Sequence, residues 1–297
     1  MSTLFRRILK NSIKIAVTTL TVSAVTIAVE VAILAYRTPK LPEAPGKRTG
    51  TCKNNKHIKE VKKDKADMLV LIFGDSVAAG VGCENNQVGF AGCVAKELSN
   101  VCINKNLNWK ILGKSGYTAK DCEEKLIPIL QRRKQKNIEK NITIKYDICV
   151  ISIGVNHVLS FHSPSTYEIE LTNMLKTLYN VLNNNNNNDD ITRKTLILVN
   201  AMPPMEKFPQ ISYLKPLNLL VGYYVKLMTN VTKKVCMANE KELNTICVEW
   251  SETGIDTSTE SIKKMMAPDG FHPAQPANEI MATQITEIYK SRIGRNV

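Results

Sequence analysis

Met68-Leu69-Val70-Leu71-Ile72-Phe73-Gly74-Asp75-Ser76 carries the clearest structural signal in the chain. Its first six residues are apolar without alternation. A strand with one wet face alternates, whereas a strand covered on both faces reads as a continuous apolar run, the pattern of a parallel sheet between helices. The run stops at Gly74-Asp75-Ser76, and that stop reads in two ways. Asp75 or Ser76 can cap a helix that comes after the strand. Ser76 can also act as a nucleophile, which requires a base, an orienter for the base and oxyanion donors elsewhere in the chain.

On either side of this stretch, strand-like runs span 67–73, 109–112, 146–153, 195–200 and 245–250, with helix-like stretches at 90–98, 119–132, 167–182, 219–239 and 275–293. This alternation predicts a three-layer α/β/α sandwich around a five-stranded parallel sheet, built by residues 66–297 as one domain without repeats. The Asn run 183–188, then Asp189 and Asp190, reads as a polar surface loop.

Ligands of open parallel sheets sit beyond the carboxyl ends of the strands. The turn after each strand is therefore informative. These turns are Gly74-Asp75-Ser76, then Gly113-Lys114-Ser115-Gly116-Tyr117-Thr118, then Gly154-Val155-Asn156-His157, then Met202-Pro203-Pro204. Asp269-Gly270-Phe271-His272-Pro273 precedes the last helix. Asp269 stands three residues before His272. A carboxylate on one imidazole nitrogen fixes the tautomer and frees the other nitrogen as a base. Asn156 and the Gly116 amide are donors an oxyanion can use. Each residue also has an ordinary reading: Ser76 as a cap, Asp269 as a turn residue, Asn156 and Gly116 as turn formers. Of the other histidines, His57 falls in a charged tract and His162 in a loop near Pro164, and both read as surface.

Composition narrows the class. With 43% hydrophobic and 23% charged residues the chain is globular, but its net charge is +13. Much of that charge sits in Arg6, Arg7, Lys10 and Lys14 and in a tract holding Lys47, Arg48, Lys53, Lys56, Lys59, Lys62, Lys63 and Lys65. Basic tracts beside an apolar segment suit an anionic membrane surface. Without interleaved aromatics or zinc spacing, they give no reason to expect nucleic acid. Eight cysteines form no CxxC pair, so no metal site is expected; bridges are permitted, with Cys83, Cys93, Cys102 and Cys122 the best placed. No phosphate-binding loop, dinucleotide fingerprint or G-x-S-x-G elbow is present.

The N-terminal part reads as a basic tail, 1–14, an apolar segment, 15–36, and a Pro- and Lys-rich linker, 37–65. Residues 15–36 are long enough to cross a hydrocarbon core of about 30 Å, with Glu30 the single charge inside. The expectation is a retained transmembrane signal anchor with the body lumenal or extracellular; a cleaved signal peptide or an organellar transit peptide are the alternatives. Asn141-Ile142-Thr143 and Asn230-Val231-Thr232 are glycosylation acceptors if the body is lumenal.

Together these residues resemble the SGNH (GDSL-type) hydrolase family, which is named for a Ser, a Gly, an Asn and a His in four blocks. The blocks appear in order as Gly74-Asp75-Ser76, Gly116 in "GKSGYTA", Asn156 in "GVNH" and Asp269 with His272 in "DGFHP". The resemblance covers about residues 66–293. It implies the flavodoxin-like fold of the family and a serine esterase, with Ser76 as nucleophile, His272 as base and Asp269 as its orienter. The oxyanion hole it implies is the Ser76 amide, the Gly116 amide and the Asn156 side chain. It implies acyl transfer to water without metal or organic cofactor. One departure stands out: His157 occupies the place where the family usually has Asp, which bears on turn geometry, substrate fit or pH profile.

The implied substrates are carboxylic esters. The apolar segment 15–36 and the apolar-rich stretch 208–224 favour a lipid-like acyl ester over the main enzymatic rival, a carbohydrate O-acetyl esterase. That rival calls for polar aromatics around the site, and only Trp109 and Trp250 are present. A membrane-tethered binding protein without turnover is the reading outside the enzyme class.

Overall fold

The apolar runs pair into one sheet. The computed structural model describes residues 21–52, 67–102, 106–142, 144–183, 194–251, 255–256 and 258–294. A helix over residues 21–37, α1, comes first. The order continues β1 (Thr49–Cys52), β2 (Met68–Gly74), α2 (Phe90–Val101), β3 (Leu107–Gly113) and α3 (Ala119–Asp121), which runs through a π turn (Cys122–Leu126) into α4 (Ile127–Glu139). Then come β4 (Ile148–Ser152), α5 (Val155–Leu159), α6 (Pro164–Asn183), β5 (Leu196–Asn200) and α7 (Leu217–Ala238). The chain closes with α8 (Glu240–Leu243), β6 (Thr245–Val248), α9 (Thr259–Met265) and α10 (Gln275–Gly294).

The strand order is β1-β3-β2-β4-β5-β6. Its last five members, β3 to β6 in that order, are parallel, from Met68↔Leu107 on one side of β2 to Ile197↔Thr245 at β5–β6. The continuous runs are buried on both faces, as expected. Leu71, Phe73, Cys149, Ile151, Ile197 and Val199 face the core under α4, α6 and α7. Val70, Ile72, Val150 and Leu198 face the core under α2 and α10. Each such fully buried aliphatic side chain contributes about 1.5–3 kcal/mol relative to exposure.

The sheet has six strands, not five. The sixth, β1, comes from the stretch read as a linker and runs antiparallel to β3, from Thr49↔Lys110 to Cys52↔Leu107. It covers Trp109 so closely that a Cβ on Gly50 would lie 2.4 Å from the indole. Thr49-Gly50-Thr51-Cys52 is an edge strand half open to solvent, so it carries no apolar run by which to recognise it.

Residues 15–20 of the expected anchor, like the tail 1–14, the lysines between 53 and 66 and the Asn residues from 184 onward, lie outside the described residues. Among the described residues no helix is long and apolar enough to cross a membrane. The rest of the segment packs on the body. Ile27, Ile33 and Leu34 lie against the core beneath α7. Between them Glu30, 8% exposed, accepts a hydrogen bond from the Leu217 amide at 2.8 Å. Glu30 thus supplies an acceptor to the first turn of α7, whose amides lack intrahelical partners and carry the positive end of the dipole. The opposite face of α1 exposes Val22, Val25 and Val29.

Candidate active site

The carboxyl end of β2 is closed by a position only glycine can occupy. Gly74 has φ +136°, and a Cβ there would lie 1.9 Å from the Ser152 carbonyl of β4. That approach lets the Asp75 amide donate to the same carbonyl at 3.0 Å and lets the Lys114 amide donate to Gly74 O at 3.0 Å. The first two strand ends and β4 are thus locked together under Ser76. No helix comes directly after the strand, contrary to expectation. Residues 75–82 form successive turns, with Ala79 N bonded to Asp75 O and Val81 N to Ser76 O, and α2 starts only at Phe90. Asp75 is fully buried. Its Oδ1 accepts from the Val77 amide at 3.1 Å and from the Ser152 hydroxyl at 3.2 Å, while Oδ2 has no partner. Burial pushes this carboxyl up to about 6, against those two hydrogen bonds and the nearby His272, which lower it.

The segment 265–274 is pinched into a loop by the Met266–Pro273 bridge, with Ala267 N donating to His272 O at 2.8 Å and Ala274 N to Met265 O at 2.8 Å. Within it Asp269 Oδ2 meets His272 Nδ1 at 2.6 Å. Asp269 Oδ1 accepts from the amides of Phe271 and His272, both at 2.9 Å. Burial alone would raise the Asp269 carboxyl. The His272 ring and the two amides outweigh it and hold the group below its ordinary value. An ionised Asp269 on Nδ1 leaves Nε2 of His272 as the basic nitrogen, and His272 lines the same cavity as Ser76.

Gly116 takes φ +83° in the loop after β3, with open space where a side chain would stand. Asn156 Nδ2 donates to Tyr117 O at 2.9 Å, which brings the side chain to the Gly116 loop. Among the described residues the amides of Ser76 and Gly116 donate to no acceptor, and Ser76 Oγ has no hydrogen-bond partner. Unspent backbone donors beside a serine are what a developing oxyanion requires. All five residues expected from the sequence therefore occupy one rim of the sheet.

A sixth contributor was not foreseen. Residues 41–48 strap the rim from outside. Gly82 N donates to Pro42 O and Ala44 N to Ala79 O, fastening the strap to the Ser76 turn. Glu43 Oε1 accepts from the Ser115 amide at 3.0 Å and pairs with Lys114 at 3.2 Å, while Oε2 pairs with Arg48. Arg48 also donates to Gly113 O at 2.7 Å. Glu43 thus holds the loop that carries Gly116. Burial raises its carboxyl, but the Ser115 amide and the two cations hold it below the usual range.

Ser76 and His272 open onto one cleft. Its walls are mostly apolar, with Ile153, Met202, Phe208, Met265, Phe271 and Met281 prominent. Phe208 and Phe271 meet edge to face at 5.6 Å, joining the loop after β5 to the His272 loop. Trp250 also lines the cleft, and its Nε1 and Asn200 Oδ1 are buried without partners. Trp109 is buried beneath β1 and lies away from the cleft.

His157 lies behind the site. It is fully buried, bonded through Nε2 to Glu170 Oε2 at 3.0 Å and packed on Tyr167. His162 is half-buried beside it rather than on the surface. All eight cysteines are free, including the four best placed to form bridges.

The GDSL-like lipase/acylhydrolase family matches residues 70–285. No curated protein matches the chain. Among solved structures, the lipase Lip_vut3 from a goat rumen metagenome superposes with a TM-score of 0.53 at 14% identity, covering 74% of this chain and 96% of that one. Est24, a carbohydrate acetylesterase from Sinorhizobium meliloti, superposes with a TM-score of 0.50 at 14% identity, covering 76% and 99%. These likenesses agree with the α/β sandwich traced above. The four blocks, in order on one rim of that sandwich and within the matched residues, identify the chain as a member of the GDSL-like lipase/acylhydrolase family, an ester hydrolase.

Proposed function

We propose that the chain hydrolyses lipid-like acyl esters through an acyl-enzyme on Ser76. In this reading Ser76 Oγ attacks the ester carbonyl while its proton passes to His272 Nε2. Asp269 keeps the ring oriented and stabilises the imidazolium. The carbonyl oxygen gains negative charge and takes hydrogen bonds from the amides of Ser76 and Gly116 and from Asn156 Nδ2. The C–O bond to the alcohol then breaks as His272 returns the proton to the leaving oxygen. Water, activated by the same nitrogen, releases the acid and restores Ser76. The single observation that carries the reading is Ser76 and His272 facing one apolar cleft, with His272 already fixed through Nδ1.

The apolar walls favour an acyl chain over a sugar. The second reading, a carbohydrate O-acetyl esterase, draws on the unpartnered Trp250 Nε1 and Asn200 Oδ1 in the cleft, which would suit a polar substrate group. p-Nitrophenyl esters from acetyl to palmitoyl, given to the full chain and to Ser76→Ala, separate the two. Rates that rise beyond butyryl and vanish in the variant support the lipid-like ester. Turnover confined to acetyl supports the rival. No turnover above the variant, in folded protein, favours a binding protein.

Membrane attachment through residues 15–36 belongs to the same proposal. The outward valines of α1 and the basic residues before it suit an anionic bilayer. Flotation with phosphatidylserine vesicles, lost when residues 1–37 are removed, is the expected result. In this reading the body lies on the lumenal or extracellular side. Expressed in a secreting eukaryotic cell, the chain should lose mass on glycan removal, and Asn141→Gln should reduce that loss, since Asn141 is exposed in a turn.

A further inference from the structure

His157 and His162 are the histidines that ester hydrolysis leaves unused among the described residues, and both converge on one carboxylate. His157 sits in α5, His162 in the turn just after it, and Glu170 in α6. One donor atom from each lies within 4.8 Å of the other two. The two rings meet edge to face at 5.3 Å, and the His157–Glu170 contact is already 3.0 Å. Among the described residues no other group of three His, Cys, Asp or Glu side chains converges so closely.

The arrangement is poorly explained as a plain hydrogen-bonded pair. His157 is wholly buried, yet its Nδ1 has no partner, and Nδ1 of His162 is buried and unpartnered as well. Buried polar nitrogens are normally satisfied, and leaving one without a partner costs about 1–3 kcal/mol. An ion binds one nitrogen of each ring: Nε2 of His157 already faces the Glu170 carboxylate, and at His162 the unpartnered Nδ1 is a nitrogen free to complete the set. A neutral imidazole is the form that binds metal.

We propose that His157, His162 and Glu170 form a binding site for a divalent transition metal ion, with Zn²⁺ the best fit. Two imidazoles and a carboxylate are a donor set suited to Zn²⁺ and unsuited to the all-oxygen preference of Mg²⁺ or Ca²⁺. Tetrahedral bonds of about 2.0–2.1 Å put ligand atoms roughly 3.3 Å apart. The His157–Glu170 contact meets that already. Only His162, in a short turn with two rotatable side-chain bonds, has to move in. The fourth position would be water, reached past the partly exposed His162 and Glu170. The site lies one residue from Asn156, so an ion there would clamp α5 to α6 directly behind the amide that faces the Gly116 loop. Its role is to brace that turn; the ion takes no part in the hydrolysis.

The test is binding to the full chain after dialysis against a chelator. With Zn²⁺ at about a hundred times its dissociation constant, Tm should rise by about 5–10 °C. Titration should give one ion per chain that His162→Ala fails to hold, and Co²⁺ in its place should give the visible absorption bands of a tetrahedral site. Glu170→Gln, which keeps a side chain for His157 to bond, should bind at least 10-fold more weakly. Two results would overturn the proposal: no saturable uptake by the parent chain, or uptake unchanged in both variants, which would move the ion to the cysteines or to His57 or His272. Because the readout is binding and Tm, failure of the esterase reading would leave this result standing.

Discussion

His272 owes its orientation to one contact. Asp269 touches Nδ1 at 2.6 Å and is itself fixed by two backbone amides. Asp269→Asn keeps the shape but presents an amide where the ring needs a carboxylate, so the tautomer and the imidazolium both lose support. A fall in kcat of about 10⁴-fold with little change in KM is expected from steady-state kinetics. Asp75 gives a prediction of another kind. Its pKa is raised to about 6 in the folded chain because the carboxyl is buried with Oδ2 unpaired. A carboxyl raised by folding stabilises the fold below its unfolded value and loses that contribution as pH rises through about 6. The stability of the parent chain minus that of Asp75→Asn should therefore fall between pH 4 and 6 and level off above. The side-chain carbonyl of that variant can still accept from Val77 N, so urea titrations across the window read the effect of charge; a flat difference would mean that Asp75 ionises as freely as in water. The candidate site residues stood out in the sequence because such chemistry restricts them to few types: a Ser after a buried strand, an Asp three before a His, an Asn after a Gly. Glu43 and Glu30 were not, since a lone Glu among prolines or valines has no spacing that points to its partner.

Among the elements, the strands were legible wherever both faces are buried and illegible where one edge is open. β2 and β4 announce themselves as apolar runs, whereas Thr49–Cys52 becomes a strand only because β3 offers it an edge and Trp109 a surface. Helix ends shifted for a similar reason. α2 extends to Val101 and α4 to Glu139, several residues past their apolar periodicity, and in α4 the added residues contribute nothing to the core. The same logic explains why 15–36 read as an anchor. An amphipathic helix whose buried face holds Ile27, Ile33 and Leu34 and whose open face is valine looks apolar all round in sequence. Its one charge, Glu30, marks the docked face. Glu30→Ala removes the acceptor at Leu217 N and is expected to destabilise the chain by about 1–2 kcal/mol in urea unfolding, with Glu30→Gln recovering most of it. Equal midpoints for all three proteins would mean that α1 does not stay on the body in solution. The strap makes a kinetic prediction. Glu43→Ala frees the Ser115 amide and with it the Gly116 loop, so kcat should fall about 10–100-fold while KM holds, the signature of a contact that matters in the transition state.

For the molecule as a whole, these contacts move the boundary of the hydrolase. Composition places it near residue 66, where the lysine-rich tract ends and β2 begins. The structure ties the chain to the rim that carries Ser76 from about residue 41, through Pro42, Glu43, Ala44 and Arg48, and then adds β1 to the sheet. A chain beginning at residue 38 keeps both devices and loses only α1. A chain beginning at residue 66 loses the clamp on the Gly116 loop, uncovers Trp109 and leaves β3 as a bare edge, which invites pairing between molecules. Relative to the chain from 38, the chain from 66 should show kcat lowered at least 10-fold on the best p-nitrophenyl ester, a lower Tm by calorimetry and light scattering that grows with concentration. The chain from 38 should differ from the full protein mainly in vesicle binding and by the modest stability that α1 contributes. Equal kcat for the two truncated chains would show that the rim holds its geometry without the strap. The family's four blocks would then be sufficient for catalysis, and Glu43 would be a surface ion pair of little consequence.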